Sequence, residues 1–224
     1  MRTPRNAAKG QTTAALRLRR SLHEIEARHV ERYPVPEPWS SALGGGLAAG
    51  SAILLTGRAG SGKTTEALAL AAAVPGAVYL PCEPNQSAAD LRTISERAGL
   101  DPSRIEVGEP ADLSEACAML AEHPQPPLAI VDSISVLGEA CDVWRALRAA
   151  APACAIVCIV HVNKDGRMAG REQLKHLADT VIEVTRRALV TGKNRYAAGS
   201  ARVRSPRIIP DAAKTAKPGT EQQE

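Results

Sequence analysis

The segment Gly57-Arg58-Ala59-Gly60-Ser61-Gly62-Lys63-Thr64 has the residue types and spacing of a phosphate-binding loop. Its glycines let successive backbone N–H groups turn inward around an anion, Lys63 can reach β- and γ-phosphates, and the Thr64 hydroxyl can hold Mg²⁺ at a helix N-terminus. With Thr65 behind them, these residues are expected to bind a nucleoside triphosphate, with ATP and Mg²⁺ as the cofactors. Two carboxylates suit the same chemistry. Asp132 closes the apolar run Leu128-Ala129-Ile130-Val131, where a second Mg²⁺-side carboxylate sits in such enzymes; its plainer reading is a strand-end cap. Glu83 ends the next strand after the loop, on the edge of a parallel sheet where ligands bind, and could deprotonate an attacking water. Its plainer reading is a solvated loop glutamate before Pro84.

These side chains need a sheet to hold them. Ser51 to Thr56 reads as the strand before the loop, and the Ala/Leu-rich stretch Thr65–Ala73 as the helix after it, stopped by Pro75-Gly76. Strand and helix signals then alternate, the pattern of a parallel sheet with helices on its faces. Strands are expected at 77–82, 104–107, 128–132 and 154–160, and later ones from Val181 through Arg202 to Ile209. Asn85 is expected to cap a helix that stops at Gly99, Asp112 to open another through a capping box with Glu115, and a third to run from Glu139 to Ala150. The fold class is therefore α/β, a P-loop NTPase with a mostly parallel central sheet flanked by helices. The domain reading is a basic, partly disordered segment at 1–36, one core at 37–209 and a disordered tail at 210–224.

Composition narrows the class. The 224 residues contain no Phe and only 2% aromatics, so the core is expected to be aliphatic. No apolar run approaches the ~20 residues of a membrane span, and no signal-peptide pattern opens the chain, so a cytoplasmic protein without membrane contact is expected. The five cysteines (82, 117, 141, 154, 158) form no CxxC pair and read as small buried hydrophobes, with no structural zinc. The net charge of +4 is segregated: residues 1–32 carry +5, 33–185 carry −7, 186–217 carry +8 and the last seven −2. Basic flanks around an acidic core suit contact with a polyanion, and equally suit solvated tails. Tyr196, Trp39 and Trp144 are the main aromatics available to stack on bases.

Other segments carry a family resemblance. Leu43-Gly44-Gly45-Gly46-Leu47, Gly50-Ser51 and the loop resemble the entry to a RecA-superfamily ATPase core. His161-Val162-Asn163-Lys164-Asp165-Gly166, Ala169-Gly170 and Leu174-Lys175-His176-Leu177-Ala178-Asp179-Thr180-Val181 resemble the matching block of bacterial RadA (Sms), and Lys193-Asn194-Arg195-Tyr196 resembles its Lys-Asn-Arg-Phe-Gly motif. The resemblance covers residues 39–208 and implies an ATP-driven core acting on single-stranded DNA in recombination and repair. Position by position it implies Lys63 and Glu83 as catalytic residues, Glu83 being the base, Thr64 and Asp132 on the metal, and His161 as a γ-phosphate sensor. It also implies Lys193 and Arg195 as cations reaching a nucleotide or DNA across a subunit interface. Lys164, Arg167, Arg171, Arg202 and Arg204 are the expected DNA contacts, and a homo-oligomeric ring or filament the expected assembly. Without the resemblance, His161 reads as a core histidine and Lys193-Asn194-Arg195 as a basic turn.

Departures from the family bear on function. The resemblance is to the motor core alone, without the family's four-cysteine zinc module or Lon-protease-like domain. Only 29 positions separate Asp132 from His161, which leaves a trimmed loop at 135–141 where the family has a DNA-contacting insertion. Arg171 stands where the family has Pro, Tyr196 where it has Phe and Ala197 where it has Gly. The expected function is an Mg²⁺-dependent, DNA-dependent ATPase. The alternatives are a non-motor ATPase switch without DNA stimulation, a DNA-annealing accessory protein with little hydrolysis and, ranked lower for want of a lid segment, a small-molecule or nucleoside kinase.

Overall fold

A computed structural model describes residue 23 and residues 30–122, 124–161 and 171–206. The disorder expected at 1–12 and 210–224 falls outside the described residues, as do Lys164 and Arg167. The strands are β1 Arg32–Tyr33, β2 Leu47–Ala48, β3 Ala52–Gly57, β4 Val78–Pro81, β5 Glu106–Val107, β6 Leu128–Asp132, β7 Ala155–His161, β8 Thr180–Val184, β9 Ala188–Asn194 and β10 Ala201–Arg204. Among the described residues the α-helices are α1 Trp39–Leu43, α2 Lys63–Ala73, α3 Ala88–Arg97, α4 Leu113–Ala121, α5 Ala140–Ala150 and α6 Arg171–Leu177. β1 and β2 form a small antiparallel pair, and the other eight strands make one sheet in the order β10-β9-β8-β3-β7-β6-β4-β5.

Six neighbouring strands, β8 to β5 in that order, run parallel, and β9 and β10 add an antiparallel hairpin at one edge. Every residue of β3 and of β6 is buried, as their continuous apolar sequences require of strands covered on both faces. The period-two alternation sorts their side chains between two cores. Ile53, Leu55, Leu128 and Ile130 pack toward Leu68, Ala71 and Leu91, whereas Leu54, Ala129 and Val131 pack toward Leu120, Val143, Trp144 and Leu147. By the same alternation Tyr79 and Asp132 face α2. The carboxyl ends of the parallel strands share one edge, where Gly57 pairs with His161 and Pro81 with Asp132.

The helix starts follow side-chain chemistry, with one correction. The cap of α3 is Ser87, not Asn85: the Ser87 hydroxyl accepts from the Asp90 N–H and the Asp90 carboxylate accepts from the Ser87 N–H. Asn85 instead lies in the turn closed by the Gln86 N–H donating to the Glu83 carbonyl (3.0 Å). Asp112 caps α4 as expected, and Glu139 caps α5. The segment expected as a strand at 104–107 begins as a 3₁₀ turn, Pro102–Arg104, leaving only Glu106–Val107 to pair. Among the cysteines, Cys141, Cys154 and Cys158 are buried, Cys82 and Cys117 are half-buried, and all five are free thiols.

Candidate nucleotide site

The loop between β3 and α2 is built for close approach. Gly57, Gly60 and Gly62 have φ of 153°, 70° and 94°, conformations that side chains rarely adopt. A Cβ at Gly57 would lie 2.5 Å from the Val184 carbonyl oxygen and 2.6 Å from Ser61 Oγ. Gly62 caps α2 without any side-chain oxygen, so the first-turn N–H groups are left to meet an anion. Ser61 Oγ is buried with no hydrogen-bond partner among the described residues, a donor that a phosphate oxygen would satisfy. Lys63 Nζ donates to the carbonyls of Gly57 and Arg58, at 3.1 Å each. Burial lowers the Lys63 pKa, and the charges of Asp132 and Glu83 offset part of that shift. These features fit a triphosphate.

Asp132 is 1% exposed, yet it is well supplied with donors. Its Oδ2 accepts from Thr64 Oγ1 (3.0 Å), Tyr79 Oη (2.7 Å) and Gln86 Nε2 (3.3 Å). Thr64 and Asp132 therefore meet as the two residues expected on Mg²⁺. The Cys82 N–H donates to the Asp132 carbonyl (2.7 Å), tying Glu83's approach to the same strand end. Glu83 follows at this carboxyl edge, near enough for its charge to act on Lys63. Burial, and then Asp132, push the Tyr79 pKa well up, so its proton is firmly held and donated. Sequence reasoning missed Tyr79 and Gln86, because a tyrosine in an apolar strand reads as core and a glutamine in a turn as solvated.

The backbone of His161 ends β7 beside Gly57. Lys193 and Arg195 lie elsewhere. Lys193 pairs with Val181 at the start of β8, the edge of the parallel strands opposite the phosphate loop. Lys193 Nζ donates to the carbonyls of Lys175 (2.8 Å), His176 (3.3 Å) and Ala178 (2.6 Å), closing the C-terminal end of α6. Arg195 pairs with Asp179 at 3.2 Å. Burial lowers the Lys193 pKa, with Arg195 contributing and Asp179 opposing. Between them Asn194 joins distant segments, donating to the Leu43 carbonyl (3.0 Å) and accepting from the Tyr196 N–H (2.9 Å). Arg32, part of the basic N-terminal segment, donates to the carbonyls of Gly44 (3.3 Å) and Gly46 (3.1 Å).

Arg202 and Arg204 alternate with half-buried residues on β10 and are exposed. Arg171 opens α6. Two aromatics expected to be available to bases are not: Trp39 is fully buried with Nε1 donating to the Glu66 carbonyl (3.0 Å), and Trp144 is 3% exposed in the core of α5.

No protein-family model matches the chain. A search of solved structures finds a crystal structure of the RadB recombinase, with a TM-score of 0.56 at 22% identity over 77% of this chain and 94% of that one. Among characterised proteins, the DNA repair protein RadA of Mycolicibacterium smegmatis is 35% identical over 162 residues, covering 62% of this chain and 34% of the relative. This chain is a RecA-like core resembling bacterial RadA. The Escherichia coli RadA is 29% identical over 202 residues, 79% of this chain and 43% of the relative. The chain thus spans less than half the length of these RadA proteins.

Proposed function

We propose that the chain is an Mg²⁺-dependent ATPase of the RecA/RadA type, acting on single-stranded DNA in recombination, repair or replication as a cytoplasmic homo-oligomer. The observation that carries this reading is the meeting of Thr64 and Asp132 at 3.0 Å beside the phosphate loop, with Glu83 at the same sheet edge. Lys63 leaves the Gly57 and Arg58 carbonyls for the phosphates, and the Thr64 hydroxyl leaves Asp132 to face the metal. Mg²⁺ supplies neutralisation of the charge on the transferring phosphoryl group. Glu83 takes the proton of the attacking water, and His161 senses the γ-phosphate. Lys193 and Arg195 act on a neighbouring subunit's nucleotide or on DNA. Arg202 and Arg204, with Lys164, Arg167 and Arg171, contact DNA phosphates.

One observation favours a second reading. Lys193 and Arg195 already have partners within their own chain, as a non-motor switch that needs no neighbour would have. The test of the site is hydrolysis by Lys63→Ala and Glu83→Gln. Lys63→Ala is expected to abolish turnover. Glu83→Gln should still bind ATP while hydrolysis falls by ~10²–10⁴; normal turnover in Glu83→Gln would show that another residue is the base.

A further inference from the structure

Gln86 sits three residues beyond Glu83 in the turn that the Gln86 N–H closes on the Glu83 carbonyl (3.0 Å). Its amide has one satisfied end and one unsatisfied end. Nε2 donates to Asp132 Oδ2 at 3.3 Å, whereas Oε1 is buried without a hydrogen-bond partner among the described residues. The opposite orientation of the amide would set Oε1 against the carboxylate, two acceptors face to face. A buried acceptor left unmet carries a desolvation cost that an arriving donor removes.

The chemistry of the site selects that donor. Phosphate oxygens only accept. Lys63 Nζ is committed to the Gly57 and Arg58 carbonyls, and on the proposed reading then to phosphates. Tyr79 Oη is committed to Asp132. All the side-chain hydrogen bonds that Asp132 makes among the described residues fall on Oδ2, so Asp132 Oδ1, like Gln86 Oε1, is an acceptor with no side-chain donor among them. A pair of acceptors next to a phosphate loop is matched by the water shell of a divalent metal–nucleotide complex.

We infer that Gln86 is a positioning residue for the hydrated Mg²⁺–nucleotide substrate, its Nε2 fixing Asp132 and its Oε1 accepting from the substrate's water shell. This rests on the ATPase reading above. It assigns Gln86 a share in metal dependence that neither the phosphate loop nor the carboxylate carries alone. Removing such a supporting group typically weakens metal binding by about 10–100-fold.

The experiment is titration of the full chain with a fluorescent ATP analogue, in Mg²⁺ and in EDTA, for the wild type, Gln86→Met and Gln86→Glu. Thermal midpoints are recorded for all three. Gln86→Met keeps the length and removes both amide atoms. Its affinity in Mg²⁺ is expected to fall by about 10–100-fold with its affinity in EDTA unchanged. Gln86→Glu keeps an acceptor oxygen but replaces the Nε2 donor with a second carboxylate against Asp132, and is expected to lose the Mg²⁺ enhancement as Gln86→Met does. Equal losses in Mg²⁺ and EDTA, no loss in either, or a Gln86→Glu protein that keeps the wild-type Mg²⁺ enhancement would each overturn the assignment. A wild type that binds no nucleotide in either buffer would instead overturn the ATPase reading beneath it.

Discussion

Lys193 and Lys63 stand at opposite edges of one sheet. Lys193 is held by the carbonyls of Lys175 and Ala178 at the amino edge of the parallel strands, and Lys63 by those of Gly57 and Arg58 at the carboxyl edge. A strand rises only about 3.3 Å per residue, but the length of β8 lies between them, so Lys193 does not serve its own chain's phosphate loop. Any role of Lys193 or Arg195 at a nucleotide has to be played on a neighbour, after release from the end of α6 and from Asp179.

That geometry sets the first prediction. Lys63→Ala removes the acceptor site but keeps the donor edge, and Arg195→Ala does the reverse. Mixing the two inactive proteins should restore part of the ATP hydrolysis, and the gain should vanish on dilution because it depends on mass action between chains. If mixing restores nothing while the variants still co-assemble, Arg195 acts within its own chain or on DNA, and the second, switch-like reading gains.

The elements expected to bear phosphate chemistry are legible in the sequence because backbone requirements write them directly. The glycines expected to turn the chain, Gly57, Gly60 and Gly62, have the positive φ that such a turn needs, and the unbroken apolar run before Asp132 announces a strand buried on both faces. The donors around Asp132 are not legible. Tyr79 shares a strand with Val78 and Leu80, and only the packing of β4 against β6 shows that its hydroxyl reaches Asp132. The cap of α3 is easily misread because Asn85 and Ser87 are both good caps, and the choice falls to Asp90, three residues after Ser87, which completes the reciprocal pair. Trp39 and Trp144 look available for bases because composition counts aromatics without placing them. Asn194, which reads as part of a basic turn, is a clamp on Leu43.

DNA binding should depend on salt through few phosphates. Arg202 and Arg204 are exposed on the outermost strand of the sheet, so replacing both with Ala is expected to lower affinity for single-stranded DNA. The slope of log K against log [salt] should become shallower by about 0.7 for each phosphate no longer neutralised. Sequence preference should be weak, since Trp39 and Trp144 are withdrawn into the cores. Fluorescence anisotropy across a salt series checks this. An unchanged slope in the double variant would place the DNA path elsewhere.

Alkaline stability should carry the signature of buried thiols. Burial raises the Cys154 pKa from 9.0 to about 12 and pushes Cys158 higher still. Both folded-state values exceed the unfolded one. Their contribution is therefore fully present below pH 9 and is lost as pH climbs from about 9 toward 12, by up to roughly 1.36 kcal/mol per pH unit for each thiol. Urea denaturation at pH 8 and pH 10.5 should show a smaller loss of stability in a Cys154→Ala/Cys158→Ala protein than in the wild type. Equal losses would show that the thiols are not the groups resisting ionisation.

The central claim, a DNA-dependent ATPase that works as an assembly, is tested most directly by Mg²⁺-dependent ATP hydrolysis of the wild-type chain with and without single-stranded DNA, with light scattering recorded in the same samples. Hydrolysis is expected to require Mg²⁺, to rise on addition of DNA, and to rise together with assembly. Hydrolysis that is indifferent to DNA and proceeds in monomers would contradict that claim.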